Sequence, residues 1–244
     1  GTVAACFAVC LAALAATPRP RAVGSATMMG YQEAHDDEQP REQQLPEPRS
    51  WLALFYFNVF LCCASFSIVV PSMWPYLRGM GGQRDTLAWV VSGYSIGEAI
   101  GAYLAGGVYA RTTPRAAMLM CLLLGLVGSA GYLAAGYLAA GYTGLFLLSR
   151  PALALAGRGV QGLWTGGQQT VEQTFLSDHT TDLERTTLTG APGSYAVAGF
   201  VLGPAMGAAA SAALPQLRAA PAALVFAAVT VMLAVTAWVF PNNP

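Results

Sequence analysis

Between Trp51 and Phe240 the chain reads as six long apolar runs parted by short polar joints. The hydrocarbon core of a bilayer takes about 20 helical residues to cross. The runs, at about 51–75, 87–109, 116–137, 144–170, 188–213 and 220–240, all reach that length. The joints carry the punctuation: "RGMGGQRDT", "ARTTPR", "AAGYTG", "SDHTTDLERT" and "LPQLRAAP". Composition agrees, with 55% hydrophobic and only 10% charged residues, where a soluble domain carries roughly 25% charged. The expected fold class is therefore an all-α membrane protein of six transmembrane helices, with the lipid bilayer as its first partner. A net charge of zero speaks against a nucleic-acid partner.

Residues 1–50 differ from the rest. The first sixteen, "GTVAACFAVCLAALAA", are apolar but short for a span, and no basic stretch precedes them as in a signal peptide. Residues 17–50 are rich in acids, glutamine and proline, and read as a disordered tail because they offer too little apolar surface to offset ordering entropy. Residues 51–244 form the expected six-helix bundle. The repeat "GYLAAGYLAAGY" at 131–142 reads as low complexity at the end of the third span. The sequence opens on Gly1 and stops at Pro244 just after the sixth run, which reads as part of a longer protein. With the N-terminus placed in the cytosol, seven arginines fall on the cytosolic side and four on the other. That is the sense of the positive-inside rule.

Few polar groups interrupt the spans. The first has Asn58, the second Glu98, and the fourth a series. Arg158, Gln161, Thr165, Gln168 and Glu172 are spaced three, four, three and four residues apart, which sets them on one helix face. Charged groups in a bilayer face a protein interior or a water-filled cavity. Two readings fit the stripe: the lining of an aqueous pathway, or a buried network that holds helices together. Arg158 and Glu172 lie roughly 21 Å apart along the axis at 1.5 Å per residue, too far to pair. Glu98 fits a proton carrier, a cation ligand, a partner for Arg158, or a neutral glutamic acid held by a hydroxyl.

Glycine rows recur at four-residue spacing, as Gly93, Gly97 and Gly101 in the second span and Gly199, Gly203 and Gly207 in the fifth. Such rows let helix backbones approach closely in lipid. The same signature in spans two and five suits a three-plus-three repeat. Pro204 sits inside the second row. In a membrane helix its missing hydrogen bond is tolerated when neighbouring groups compensate.

Three motifs resemble the major facilitator superfamily. "GVYARTTPR" (107–115) stands where that family keeps its loop motif Gly-x-x-x-Asp-Arg-x-Gly-Arg between helices two and three. "RGVQGLWTG" (158–166) resembles its fourth-helix Arg-x-x-Gln-Gly motif, and "GFVLGPAMGA" (199–208) its fifth-helix antiporter motif. "SFSIVVPSMWPYL", "LAWVVSGYSIG" and "DLERT" are further similar to the lysosomal branch of the family linked to ceroid lipofuscinosis. The resemblance implies the N-terminal half of a twelve-helix transporter, with helices one, two, four and five toward a central cavity and three and six toward lipid. The loop motif maps to Gly107, Arg111, Pro114 and Arg115, with Arg111 in place of the acid that latches the loop to the other half.

The expected function is secondary active transport of a small solute or ion by alternating access, proton-coupled or exchanging, in a lysosomal or vacuolar membrane. The candidate pathway residues are Asn58, Glu98, Arg158, Gln161, Thr165, Gln168 and Glu172. Gly199, Gly203, Pro204 and Gly207 are the candidate gate. A missing C-terminal six-helix half is the expected protein partner. An anion channel of the same fold, and a non-transporting fragment or adaptor, are the alternatives. The chain carries no pattern of nucleophile and base, metal cluster or phosphate loop, so neither enzyme chemistry nor a cofactor is expected. Its five cysteines have no metal-like spacing and read as small buried apolar residues.

Overall fold

The computed structural model describes residues 50–137, 150–180, 182–215, 217 and 219–239, with side chains placed for all but 50, 182–187 and 189. The expectations for the N-terminal tail, and for the start of the fourth span at 144, lie outside these residues. Six helices make up the described chain: α1 (Ser50–Gly79), α2 (Arg84–Tyr109), α3 (Pro114–Tyr137), α4 (Arg150–Asp178), α5 (Asp182–Ala213) and α6 (Ala220–Val239). Among the described residues, α1, α3, the Gly190–Ala213 part of α5, and α6 are long and apolar enough to cross a membrane. Helices α2 and α4 are long enough but less apolar than the expectation of six equal spans implied. Serines, glycines, glutamines and charges lower the average; α4 turns its polar face into the protein, whereas Ser92 and Ser95 of α2 are exposed.

The helix ends differ from the hydropathy boundaries for local reasons. Helix α1 runs through Pro71 and Pro75 and stops at a glycine turn. There Gly81 takes a left-handed φ of +83°, and the Gly82 N–H donates to the Leu77 carbonyl at 2.9 Å. Only glycine takes that conformation cheaply. Helix α3 starts with Pro114 in its first turn, and the Ala116 N–H donates to Thr113 Oγ1 at 3.2 Å. Pro114 therefore opens the third helix, where its missing N–H costs nothing; α2 has already ended at Tyr109. Helix α4 continues to Asp178, eight residues past the expected end. Val171, Glu172, Phe175 and Leu176 are buried there, so packing sustains a helix that hydropathy alone would end. The joint "SDHTTDLERT" is mostly helical as well. His179 and Thr180 are its described residues outside a helix.

Packing organises the bundle around two close pairs. Helix α4 lies between α2 and α3, α1 lies along α5, and α6 sits against α3, α1 and α5. Glycines set both pairs. A Cβ added at Gly97 or Gly101 on α2 would strike the carbonyl oxygens of Gly159 and Leu163 on α4. Conversely, a Cβ at Gly162 or Gly166 on α4 would strike the carbonyls of Tyr94 and Glu98. On α5, Gly199 meets Phe60, Gly203 meets Ser67, and Gly207 meets Ile68, all on α1. The Ser67 hydroxyl crosses this seam and donates to the Gly199 carbonyl at 3.0 Å. Helix α3 joins α4 in the same manner, with Gly128 against Gly157 and Gln161, and Gly125 against the Trp164 ring. Thus α3 buries one whole face in protein.

Replacing Gly203 by leucine places carbon where Ser67 and the Ala64 carbonyl already stand. Overpacking of this kind costs about 1–3 kcal/mol or more when backbone must move. Gly203→Leu is expected to lower the yield of folded, monodisperse protein on size-exclusion chromatography. Gly106→Ala, where an added Cβ meets nothing within 4 Å, is expected to leave the yield unchanged.

Candidate functional site

The polar face of α4 is inside the bundle. Arg158, Gln161, Thr165, Gln168 and Glu172 are all buried, as is Asn58 of α1. They separate into three neighbourhoods along the helix.

The first surrounds Arg158, which is wholly buried. Its Nη1 donates to Gln161 Oε1 at 2.7 Å. Gln161 Nε2 donates to Ser129 Oγ at 3.1 Å, and Ser129 donates to the Gly125 carbonyl at 2.7 Å. The guanidinium lies 4.6 Å from the centroid of Tyr94, 5.3 Å from Phe66 and 5.7 Å from Tyr132. Three helices therefore supply ring faces to one cation, and cation–π attraction is strongest where water is excluded. Nε and Nη2 have no partner among the described residues. Pairing with Glu98, one of the four readings open for that acid, is not among the hydrogen bonds described for Arg158.

The second neighbourhood is a cavity of about 100 Å³ lined by residues of α1, α2, α4 and α5, among them Cys62, Cys63, Tyr94, Glu98, Thr165 and Phe200. Glu98 is half-buried at its edge. Tyr94 Oη donates to Thr165 Oγ1 at 2.8 Å, and Thr165 Oγ1 donates to the Gln161 carbonyl at 3.1 Å. Tyr94 thus belongs to both neighbourhoods: its ring packs on Arg158 and its hydroxyl reaches the cavity wall. What the arrangement offers is one acidic group, hydroxyls and aromatic faces around a small space, with a cation held behind one of those aromatics.

The third neighbourhood lies two turns further along α4. Asn58 Nδ2 donates to Glu172 Oε1 at 2.7 Å, and Gln168 Nε2 donates to the same oxygen at 2.9 Å. Beyond it stand Trp51 and Phe55 of α1 and Phe175 of α4, with Trp51 and Phe175 centroids 5.0 Å apart. Glu172 is far from Arg158, as the helical rise requires.

The remaining sequence candidates have structural partners. Gly199, Gly203 and Gly207 face α1, and Pro204 is half-buried beside them. Gly107, in the last turn of α2, and Arg111, between α2 and α3, are both exposed. Arg115 Nη2 donates to the Ala237 carbonyl near the end of α6, a favourable place for a cation because carbonyls there lack helical partners. Tyr109 Oη donates to Asp178 Oδ2 at 2.9 Å and ties the ends of α2 and α4 together.

Glycine-seamed helices, an arginine buried on α4, and a cavity shared by α1, α2, α4 and α5 thus make up the site. The sequence model of the Major Facilitator Superfamily matches residues 55–244. The chain belongs to the major facilitator superfamily. It is 28% identical over 183 residues to the major facilitator superfamily domain-containing protein 8 of Xenopus laevis, covering 74% of this chain and 34% of that relative. The chain thus spans about a third of the length of the curated relative it matches. Within this superfamily member, Phe66, Tyr94, Ser129 and Tyr132 escaped the reading of polar residues in the spans. Only Tyr94 had a local signal, four residues before Glu98 on the same face. The others meet Arg158 or its partner Gln161 from different helices, which no spacing encodes.

The unpartnered donors of Arg158 separate a structural from a functional role. Replacing a buried charge by an apolar residue of similar length is often neutral or stabilising by about 1–4 kcal/mol. Arg158→Met is therefore expected to hold or raise the thermal unfolding midpoint in detergent. A large fall would mean that the guanidinium is there to hold helices together.

Proposed function

We propose that the chain is the N-terminal half of a secondary transporter that moves a small solute by alternating access. All six helices cross the bilayer in this reading, with α2 and α4 less apolar because their glycine and polar faces meet protein. The contact pattern supports a three-plus-three repeat. Exchanging α1 with α4 and α2 with α5 turns the α2–α4 seam into the α5–α1 seam, and both seams are rows of glycine against backbone carbonyls.

The observation that carries the reading is the cavity with Glu98 and Thr165 on its wall and Arg158 caged behind Tyr94. A charge held without a carboxylate partner in a membrane helix marks a substrate or ion pathway. Arg158 sets the potential of the cavity, and Glu98 is the group that takes and releases a proton. Gly203 and Pro204 form a hinge against α1. Apolar faces of α2 and α5, with Trp89, Tyr103, Val197 and Val201 exposed, suit a second six-helix half and lipid. The arginine bias supports a cytosolic N-terminus. Similarity to the lysosomal branch supports an endomembrane such as the lysosome or vacuole.

The full-length protein in liposomes loaded with a pH-sensitive dye tests this. One member of a panel of small organic anions, amino acids and amines is expected to be taken up saturably, with proton movement. Arg158→Met and Glu98→Gln are expected to lose uptake while inserting normally. Unitary currents without saturation would favour a channel, and uptake unchanged in both variants would remove these residues from the pathway.

A further inference from the structure

Glu172 is a carboxylate buried in the bundle with no positive charge on it. Its exposure is 1%, and its hydrogen bonds come from two neutral amides. Both amides donate to the same oxygen, Oε1. Three oxygens are left over: Glu172 Oε2, Asn58 Oδ1 and Gln168 Oε1 are each buried and have no partner among the described residues. All three belong to side chains at most 2% exposed. Because both amide nitrogens bond one carboxylate oxygen, all three free oxygens lie within about 5 Å of it by ordinary bond lengths.

Such a cluster is unstable as drawn. An uncompensated buried carboxylate is costly, and each unmet buried acceptor adds to the cost. The three unmet groups are all acceptors, so the deficiency is one of positive charge and donors. A proton on Oε2 would satisfy that oxygen and one amide oxygen, and would leave the other amide oxygen unmet. A small metal cation seated among the three side chains supplies the missing charge and can be shared by more than one acceptor. One carboxylate balances a single positive charge. Magnesium and calcium demand more negative charge than one carboxylate provides. The ligands are hard oxygens, which disfavours soft metals.

We infer that Asn58, Gln168 and Glu172 form a binding site for a desolvated sodium ion between α1 and α4. Two of its three ligands are amides. The site joins two helices that otherwise touch little, so a bound ion changes how firmly α1 and α4 hold together at this level. One turn beyond it, toward the start of α1 and the end of α4, Phe55 and Phe175 stand 6.5 Å apart with Trp51 against both. This aromatic layer closes that end, and the ion leaves only when it parts. The inference stands on the buried cluster and not on the transport reading. A protein that binds sodium but moves no solute would keep this site and lose that function.

The full-length protein, purified in detergent with choline as the replacing cation, is titrated with radioactive sodium in a scintillation proximity assay. Saturable binding, displaced by unlabelled sodium chloride and not by choline chloride, is expected. Glu172→Gln removes the one charged ligand and is expected to weaken binding by about 100-fold, and Asn58→Ala by about 10-fold. Phe175→Ala keeps all three ligands and is expected to speed sodium release. Wild-type protein that is monodisperse and helical yet binds no sodium at neutral or alkaline pH overturns the proposal and leaves a proton on Glu172. Binding that survives both ligand substitutions overturns it as well. Should Glu172→Gln fail to fold, the wild-type titration and Asn58→Ala still decide.

Discussion

Backbone contact between α2 and α4 is the constraint on which the rest of the bundle depends. Gly97 and Gly101 on one helix, and Gly162 and Gly166 on the other, have no room for a Cβ. In lipid there is little hydrophobic gain from bringing two apolar helices together, so van der Waals contact at short range must do it. The close approach brings Tyr94 within reach of two α4 residues at once. Its hydroxyl bonds Thr165 and its ring packs on Arg158. A side chain in place of Gly162, which meets the Tyr94 carbonyl, would push Tyr94 away and take the cage apart.

Burial decides how the polar groups behave. Arg158 exchanges water for three aromatic rings and one amide oxygen, and Glu172 for two amide nitrogens. Neither group has an opposite charge beside it among the hydrogen bonds described. A basic and an acidic group therefore stand apart on one helix, each in its own polar pocket, with the cavity between them along α4 at Thr165.

The helix count, the glycine seams and the polar face of α4 were legible in the sequence, because each depends on spacing along one helix. The family was legible too, from three short motifs in the right order. Less visible were the helix ends. Hydropathy stops the fourth helix at 170, whereas Phe175 and Leu176 hold it to Asp178 by packing against the bundle. The role of Pro114 was also hidden. A proline punctuates either the end of one helix or the start of the next, and only the cap at Thr113 shows which.

By itself, the sequence determined that this chain buries itself in lipid as long helices, and that one face of the fourth helix carries its polarity. Both follow from periodicity and from the thickness of a bilayer. What the tertiary structure alone decided is the grouping of that polarity into three places. Arg158 meets Phe66, Tyr94 and Tyr132 from three other helices, and Glu172 meets Asn58 across 114 residues of sequence. Contacts between helices are set by which backbones can approach each other. Which rows meet depends on shape complementarity over the whole seam, and spacing within one helix does not encode it.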